Sequence, residues 1–150
     1  METRTIHEKL QGIQSSLKAP KGQTNKFGGY SYRSAEDILT AVKPLLDEWN
    51  CTLVISDDVV EVGGRVYVKA MARLADTEGE YSIGANGFAR ESETRKGMDD
   101  SQITGSASSY ARKYALNGLF AIDDTKDADA TNDHGKSKQG RTLADATFDL

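Results

Sequence analysis

The sequence predicts an α+β fold in which a three-stranded antiparallel meander is packed by the long helix that follows it, a β-β-β-α core, with two N-terminal helices ahead of it. Three observations carry this. Ile6, Leu10, Ile13 and Leu17, and again Ile38, Val42, Leu45 and Trp49, recur at helical spacing. Between residues 51 and 90 the pattern changes to β-rich runs separated by turns. Residues 101–122 then return to a helical period over the longest such stretch of the chain.

Taken in order, residues 3–17 read as a narrow amphipathic helix that serves the core or a subunit contact. Residues 18–31, KAPKGQTNKFGGYS, read as a loop, because Pro20, Gly22, Gly28 and Gly29 break both periods. Ser34 caps the second helix with Asp37 three residues on. Its buried stripe is Ile38, Val42, Leu45 and Trp49, widened by Leu39 and Leu46, and Pro44 is expected to kink or restart it.

The strands are placed at 51–62, 65–74 and 81–90, joined by the Gly63-Gly64 turn and a turn from Asp76 to Gly79. In the second strand Val66, Val68, Ala70, Ala72 and Leu74 share one face, and Arg65, Tyr67, Lys69, Met71 and Arg73 share the other. A solvated surface accounts for the three cations, with the wall of a binding groove as the alternative. Gly84 to Gly87, GANG inside a strand pattern, suggests a bulge or a close backbone approach.

Asp99 or Ser101 caps the long helix. Ile103, Ala107, Tyr110 and Tyr114, with Ala111 beside them, form its expected buried stripe. The opposite side carries Gly105, Ser108, Ser109 and Arg112, with Lys113 on its flank, and Asn117-Gly118 reads as the helix stop.

Composition divides the chain into a folded domain, 1–122, and an acidic, largely disordered tail, 123–150. The first holds 15 Lys and Arg against 16 Asp and Glu, a net of −1, and the second 4 against 7, a net of −3. The tail lacks periodicity. Leu143, Ala146, Phe148 and Leu150 at its end suit a short partner-binding helix, for instance for a host or phage replication or recombination protein. A pI near 5.2 excludes a wholly basic surface, though not a basic groove. With one cysteine, Cys51, there is no intramolecular disulfide and no all-cysteine metal site. No signal peptide or long apolar run is present, so the expected setting is soluble and intracellular, without a membrane.

Catalytic readings fail on geometry. His7 and His134 lie in peripheral segments, and Gly105 to Ser109 does not make a GxSxG elbow. Gly135-Lys136-Ser137 lacks the rest of a phosphate-binding loop, and no strand precedes it. Asp123, Asp124, Asp127 and Asp129 invite a metal reading, but a calcium loop from Asp127 would meet Asn132 and Lys138 where Gly and Glu are required. They read as a solvated acidic segment, so no catalytic residue, metal or cofactor is assigned.

What remains is a binding surface. Lys26, Arg33, Arg90, Arg95, Lys96, Arg112 and Lys113 fall in segments that flank the sheet or the long helix. Phe27, Tyr30 and Tyr32 interleave with cations in the first loop. Two readings stand for them: stacking on the bases of single-stranded nucleic acid, or docking of the loop onto the core.

GSASSYARKYALNGLFAIDDTKDADA, together with FGGYSYRSAEDILTAVKPLL, resembles the ERF (essential recombination function) family of phage single-strand annealing proteins, over roughly residues 25–130. The β-β-β-α order is similar to the core of that family and of the ring-forming eukaryotic annealing mediators. The resemblance implies a homo-oligomeric ring or filament in the bacterial host cytoplasm that binds single-stranded DNA and anneals complementary strands without ATP. It places Arg112 and Lys113 in the DNA groove, Arg33 next, and Tyr30, Tyr32, Arg95 and Lys96 as further contacts, to which the residues themselves add Lys26 and Arg90. The alternatives are a strand-coating protein without annealing activity and a metal-dependent nuclease.

Overall fold

A computed structural model describes residues 3–92 and 97–122 of the chain. The elements are α1 (Ile6–Ser16), β1 (Gln23–Asn25), β2 (Tyr30–Tyr32), α2 (Ala35–Glu48), β3 (Cys51–Val62), β4 (Arg65–Asp76), β5 (Ser82–Arg90) and α3 (Asp100–Phe120). The α+β class, the meander and the two N-terminal helices agree with the sequence reading. The tail, 123–150, lies outside the described residues.

Each helix starts on a reciprocal capping box: Thr5 with Glu8, Ser34 with Asp37, and Asp99 with Gln102. These bonds satisfy amide groups that the first turn otherwise leaves bare. The backbone amides of Thr5 and Ser34 accordingly hold the Glu8 and Asp37 carboxyls below their ordinary range. Pro44 lies inside α2, which runs as one element from Ala35 to Glu48, so the expected restart does not occur.

Strands β3, β4 and β5 form one antiparallel sheet in that order. The β3–β4 hairpin turns through Gly63 and Gly64, both at positive φ, the conformation its two-residue turn requires. Val68, Ala70, Ala72 and Leu74 of β4 are buried, so the predicted face does enter the core. In register beside them stand Ala89, Gly87, Ala85 and Ile83 of β5. This face of the sheet is built from small residues at its centre. A helix can therefore come very close.

That helix is α3, and Gly87 is where it touches. A Cβ at Gly87 would meet the α3 backbone at Ala111, Tyr114 and Ala115. The close backbone approach expected of the GANG stretch is thus present. It also corrects the predicted stripe at its two tyrosines. Ile103, Ala107, Ala111 and Ala115 are buried, while Tyr110 and Tyr114 are 51% and 44% exposed and stack on each other with centroids 6.4 Å apart. Only alanine-sized side chains fit between backbones at this separation, so α3 is rotated to put them inward.

The predicted helix stop is also corrected. α3 continues past Asn117-Gly118 to Phe120, and Ala121 takes the left-handed cap at φ 52°. Gly118 lies against Ala85, where its Cβ would be in ordinary contact at 3.7 Å. Continuing the helix buries Leu119 and Phe120 with Leu116, Ile13 and Ile38. Each large side chain so buried contributes about 1.5–3 kcal/mol, which outweighs the cost of about 1 kcal/mol for a helical glycine.

Candidate nucleic-acid interface

The stretch predicted as a loop carries a small hairpin, in which β1 pairs with β2 through Gln23↔Tyr32, Thr24↔Ser31 and Asn25↔Tyr30. Asn25 organises its tip. Its Oδ1 accepts the amides of Phe27 and Gly28 at 2.9 and 3.0 Å, and its carbonyl accepts the amide of Gly29 at 2.9 Å. Its Nδ2 donates to the Tyr30 hydroxyl at 3.0 Å. Gly29 supplies the positive φ of 64°.

Tyr30 and Tyr32 are half-buried and meet in a T-shaped contact with ring centroids 6.2 Å apart, and the Tyr30 ring covers Gly28. Phe27 is different: it is fully exposed at the tip, beside exposed Lys26. The two readings of the aromatic loop therefore divide between residues. The tyrosines build the hairpin, and Phe27 stands bare.

On α3 the adjacent cations separate. Arg112 projects from the exposed side, and its Nε donates to Asp57 of β3 at 3.0 and 3.3 Å, with Nη2 at 3.2 Å. Ser108, one turn earlier, donates to the same carboxylate. Burial pushes the Asp57 carboxyl up, but the hydrogen bonds from Arg112 and Ser108 and the Arg112 charge outweigh it and hold the group below its ordinary range. Lys113 is 7% exposed and lies inside.

Arg33 is likewise buried, at 8% exposure, and its Nε donates to the Ala19 carbonyl. It ties the segment after α1 to the start of α2, next to a shallow groove lined by Gln14, Leu17, Phe120 and Ile122. Arg90 is exposed at the end of β5, in register with Tyr67 of β4. Arg95 and Lys96 lie outside the described residues. The structure thus joins Lys26 to Tyr30 and Tyr32 on one hairpin and places Arg112, Arg33 and Arg90 on other elements with other partners. Asp57 is the residue that the sequence reading did not single out for the site; Phe27 was weighed there only together with the tyrosines, from which the structure now separates it. Asp57 lies 55 positions from its cation, beyond any local spacing rule.

Among the described residues no group of three or more His, Cys, Asp or Glu side chains could hold a metal ion. Asp123, Asp124, Asp127 and Asp129 lie outside them. Burial pushes the Cys51 thiol up, which disfavours the thiolate. No helix among the described residues is long and apolar enough to cross a membrane.

Comparison with known proteins bears on this arrangement. No solved structure matches the chain. The essential recombination function protein of Salmonella phage P22 is 53% identical over 145 residues, covering 97% of this chain and 68% of that protein. The model of the ERF superfamily matches residues 6–146, which takes in every element described above. By both measures the chain belongs to the ERF superfamily.

Proposed function

We propose that this chain is a phage recombination protein that binds single-stranded DNA and anneals complementary strands without ATP, working as a homo-oligomeric ring or filament. Family membership and the name of the P22 relative support the recombination role. The observation that carries nucleic-acid binding is Phe27, a bare aromatic ring on a hairpin tip pinned by Asn25, with Lys26 beside it. A base stacks on such a ring while the cation meets a phosphate.

Annealing adds a constraint. The protein has to neutralise phosphates and still leave the base edges free to pair. Stacking uses the face of a base and leaves its edge open, so one ring among several cations suits annealing better than a groove that encloses every base. In this reading Arg112, Lys26 and Arg90, with Arg95 and Lys96, contact phosphates. Arg33, Lys113, Tyr30 and Tyr32 hold the elements that carry them.

The test is the rate at which two complementary labelled oligonucleotides pair, with and without the protein, in EDTA and without nucleotide. Acceleration is expected. Tight binding without acceleration would sink annealing and leave a strand-coating protein, and absence of binding would sink the reading as a whole. Loss of labelled strand only when magnesium replaces EDTA would point to the nuclease.

A further inference from the structure

The face of the sheet opposite α3 has a regular composition. Along β4 it presents Arg65, Tyr67, Lys69, Met71 and Arg73, a cation at every fourth residue with an aromatic or thioether group between successive cations. The β5 register sets Arg90 opposite Tyr67, Phe88 opposite Lys69 and Asn86 opposite Met71. On the β3 side Val60, Asp58, Ser56 and Val54 complete the rows. Asp58 is the one carboxylate among these strand residues, against four cations, in a chain whose net charge is −4.

The surface is open. Arg65, Arg73 and Arg90 are exposed, Phe88 is 50% exposed, and α3 lies on the other face against Gly87. It is also ordered by its own contacts. Lys69 Nζ sits 6.0 Å from the centre of the Phe88 ring, and Arg73 Nη1 donates to Ser82 Oγ at 3.1 Å. Gly84 leaves room over which the Met71 sulfur rests, 3.0 Å from where a Cβ would stand.

We propose that this open face is a second track for single-stranded nucleic acid, distinct from the hairpin and from Arg112, with Arg90 as the one phosphate contact common to both. The inference rests on the single-strand binding proposed above. Charge complementarity selects a polyanion, and the rings of Phe88 and Tyr67 between the cations select one with unpaired bases, since a duplex offers no base faces to stack on. At about 3.3 Å per residue, Arg65 and Arg73 are about 26 Å apart. That gives room for several nucleotides of a single strand, in keeping with the roughly 4–16 nucleotides held by such platforms.

Two variants test it on the full chain: the double reversal Lys69→Glu with Arg73→Glu, and Phe88→Ala. All three side chains lie on the open face, so the variants should remain folded; Lys69→Glu faces Asp58 across the strand pair and should lower the melting temperature modestly, so binding is compared well below the melting temperature of each variant. With an unlabelled oligothymidylate as probe, the double reversal should weaken binding at least tenfold. Its salt slope should flatten by about 1.4, the value for two phosphate contacts on a single strand. Phe88→Ala should weaken binding with the salt slope unchanged. Photocrosslinking to an iododeoxyuridine oligonucleotide should label the β4 or β5 peptide in the parent chain.

Parent-like binding by both variants, while Phe27→Ala weakens it, would overturn this track and leave the proposed function standing. Loss of self-association with unchanged affinity per chain would make the face a contact between copies and would also overturn it. A parent chain that binds no oligonucleotide would remove both readings together.

Discussion

Arg112 and Asp57 are joined across the seam between α3 and β3, with Nε 3.0 Å from Oδ1 and a second donor, Nη2, 3.2 Å from Oδ2. The side chains are 41% and 28% exposed, so water screens the pair, which contributes about 0.2–1 kcal/mol. In the free protein the charge of Arg112 is therefore balanced, yet weakly enough for a phosphate to displace the carboxylate.

Asp57→Asn should accordingly tighten single-strand binding by about two- to fivefold at moderate salt, the factor that corresponds to the pair's own strength, as read by fluorescence anisotropy. Its effect on stability should depend on pH. The native Asp57 carboxyl is held below its ordinary range, so its contribution is complete above the unfolded-state value near 3.9 and is lost as pH falls through the native one. Melting temperatures of the parent chain and Asp57→Asn should differ by a constant amount above about pH 5, then converge as the solution is made more acid. A gap that widened toward low pH would contradict the geometry.

Gly87 and Gly105 should respond oppositely to alanine. A Cβ at Gly87 meets the backbone of α3, so Gly87→Ala has to push helix and sheet apart at a cost of about 1–3 kcal/mol. A Cβ at Gly105 meets nothing within 4 Å in the interior of α3, and Gly105→Ala should stabilise by about 0.4–1 kcal/mol. Urea midpoints of the two variants check both signs.

The same contact explains what was legible in the sequence. Capping residues, strand alternation and turn glycines act over a few residues, and Ser34, Asp99, Val68 and Gly63 all stand where local pattern places them. Tyr110 and Tyr114 do not, because helical period fixes a stripe's spacing but its rotation depends on what it packs against. Here Gly87, far away in sequence, admits alanine and excludes tyrosine. The site was less legible for a related reason. Arg112, Lys113 and Arg33 look alike as cations, and only the packing of other elements decides that the first is exposed and the other two buried.

Phe27→Ala should reduce affinity for single strands by about 5- to 100-fold, the range expected for one lost base-stacking contact. Stability should stay close to the parent's, since the ring touches solvent. Phe27→Trp should keep the affinity and add a fluorophore on the hairpin tip whose emission falls on titration with oligonucleotide. A Phe27→Ala chain that binds normally but sediments as a smaller species would reassign the ring to a contact between copies.

Arg112 and Lys113 separate function from stability at neighbouring positions. Arg112 reaches outward to an exposed carboxylate, so Arg112→Ala should lose a phosphate contact and flatten the salt slope by about 0.7, with a small change in melting temperature. Lys113 is buried along its length and engaged there. Lys113→Ala should cost about 1–3 kcal/mol of stability by stranding its partners and emptying the space of its stem. The salt slope of its folded fraction should match the parent's. A shared loss of affinity without loss of stability would mean that Lys113 reaches the DNA after all, and that binding draws it out of the position it holds in the free protein.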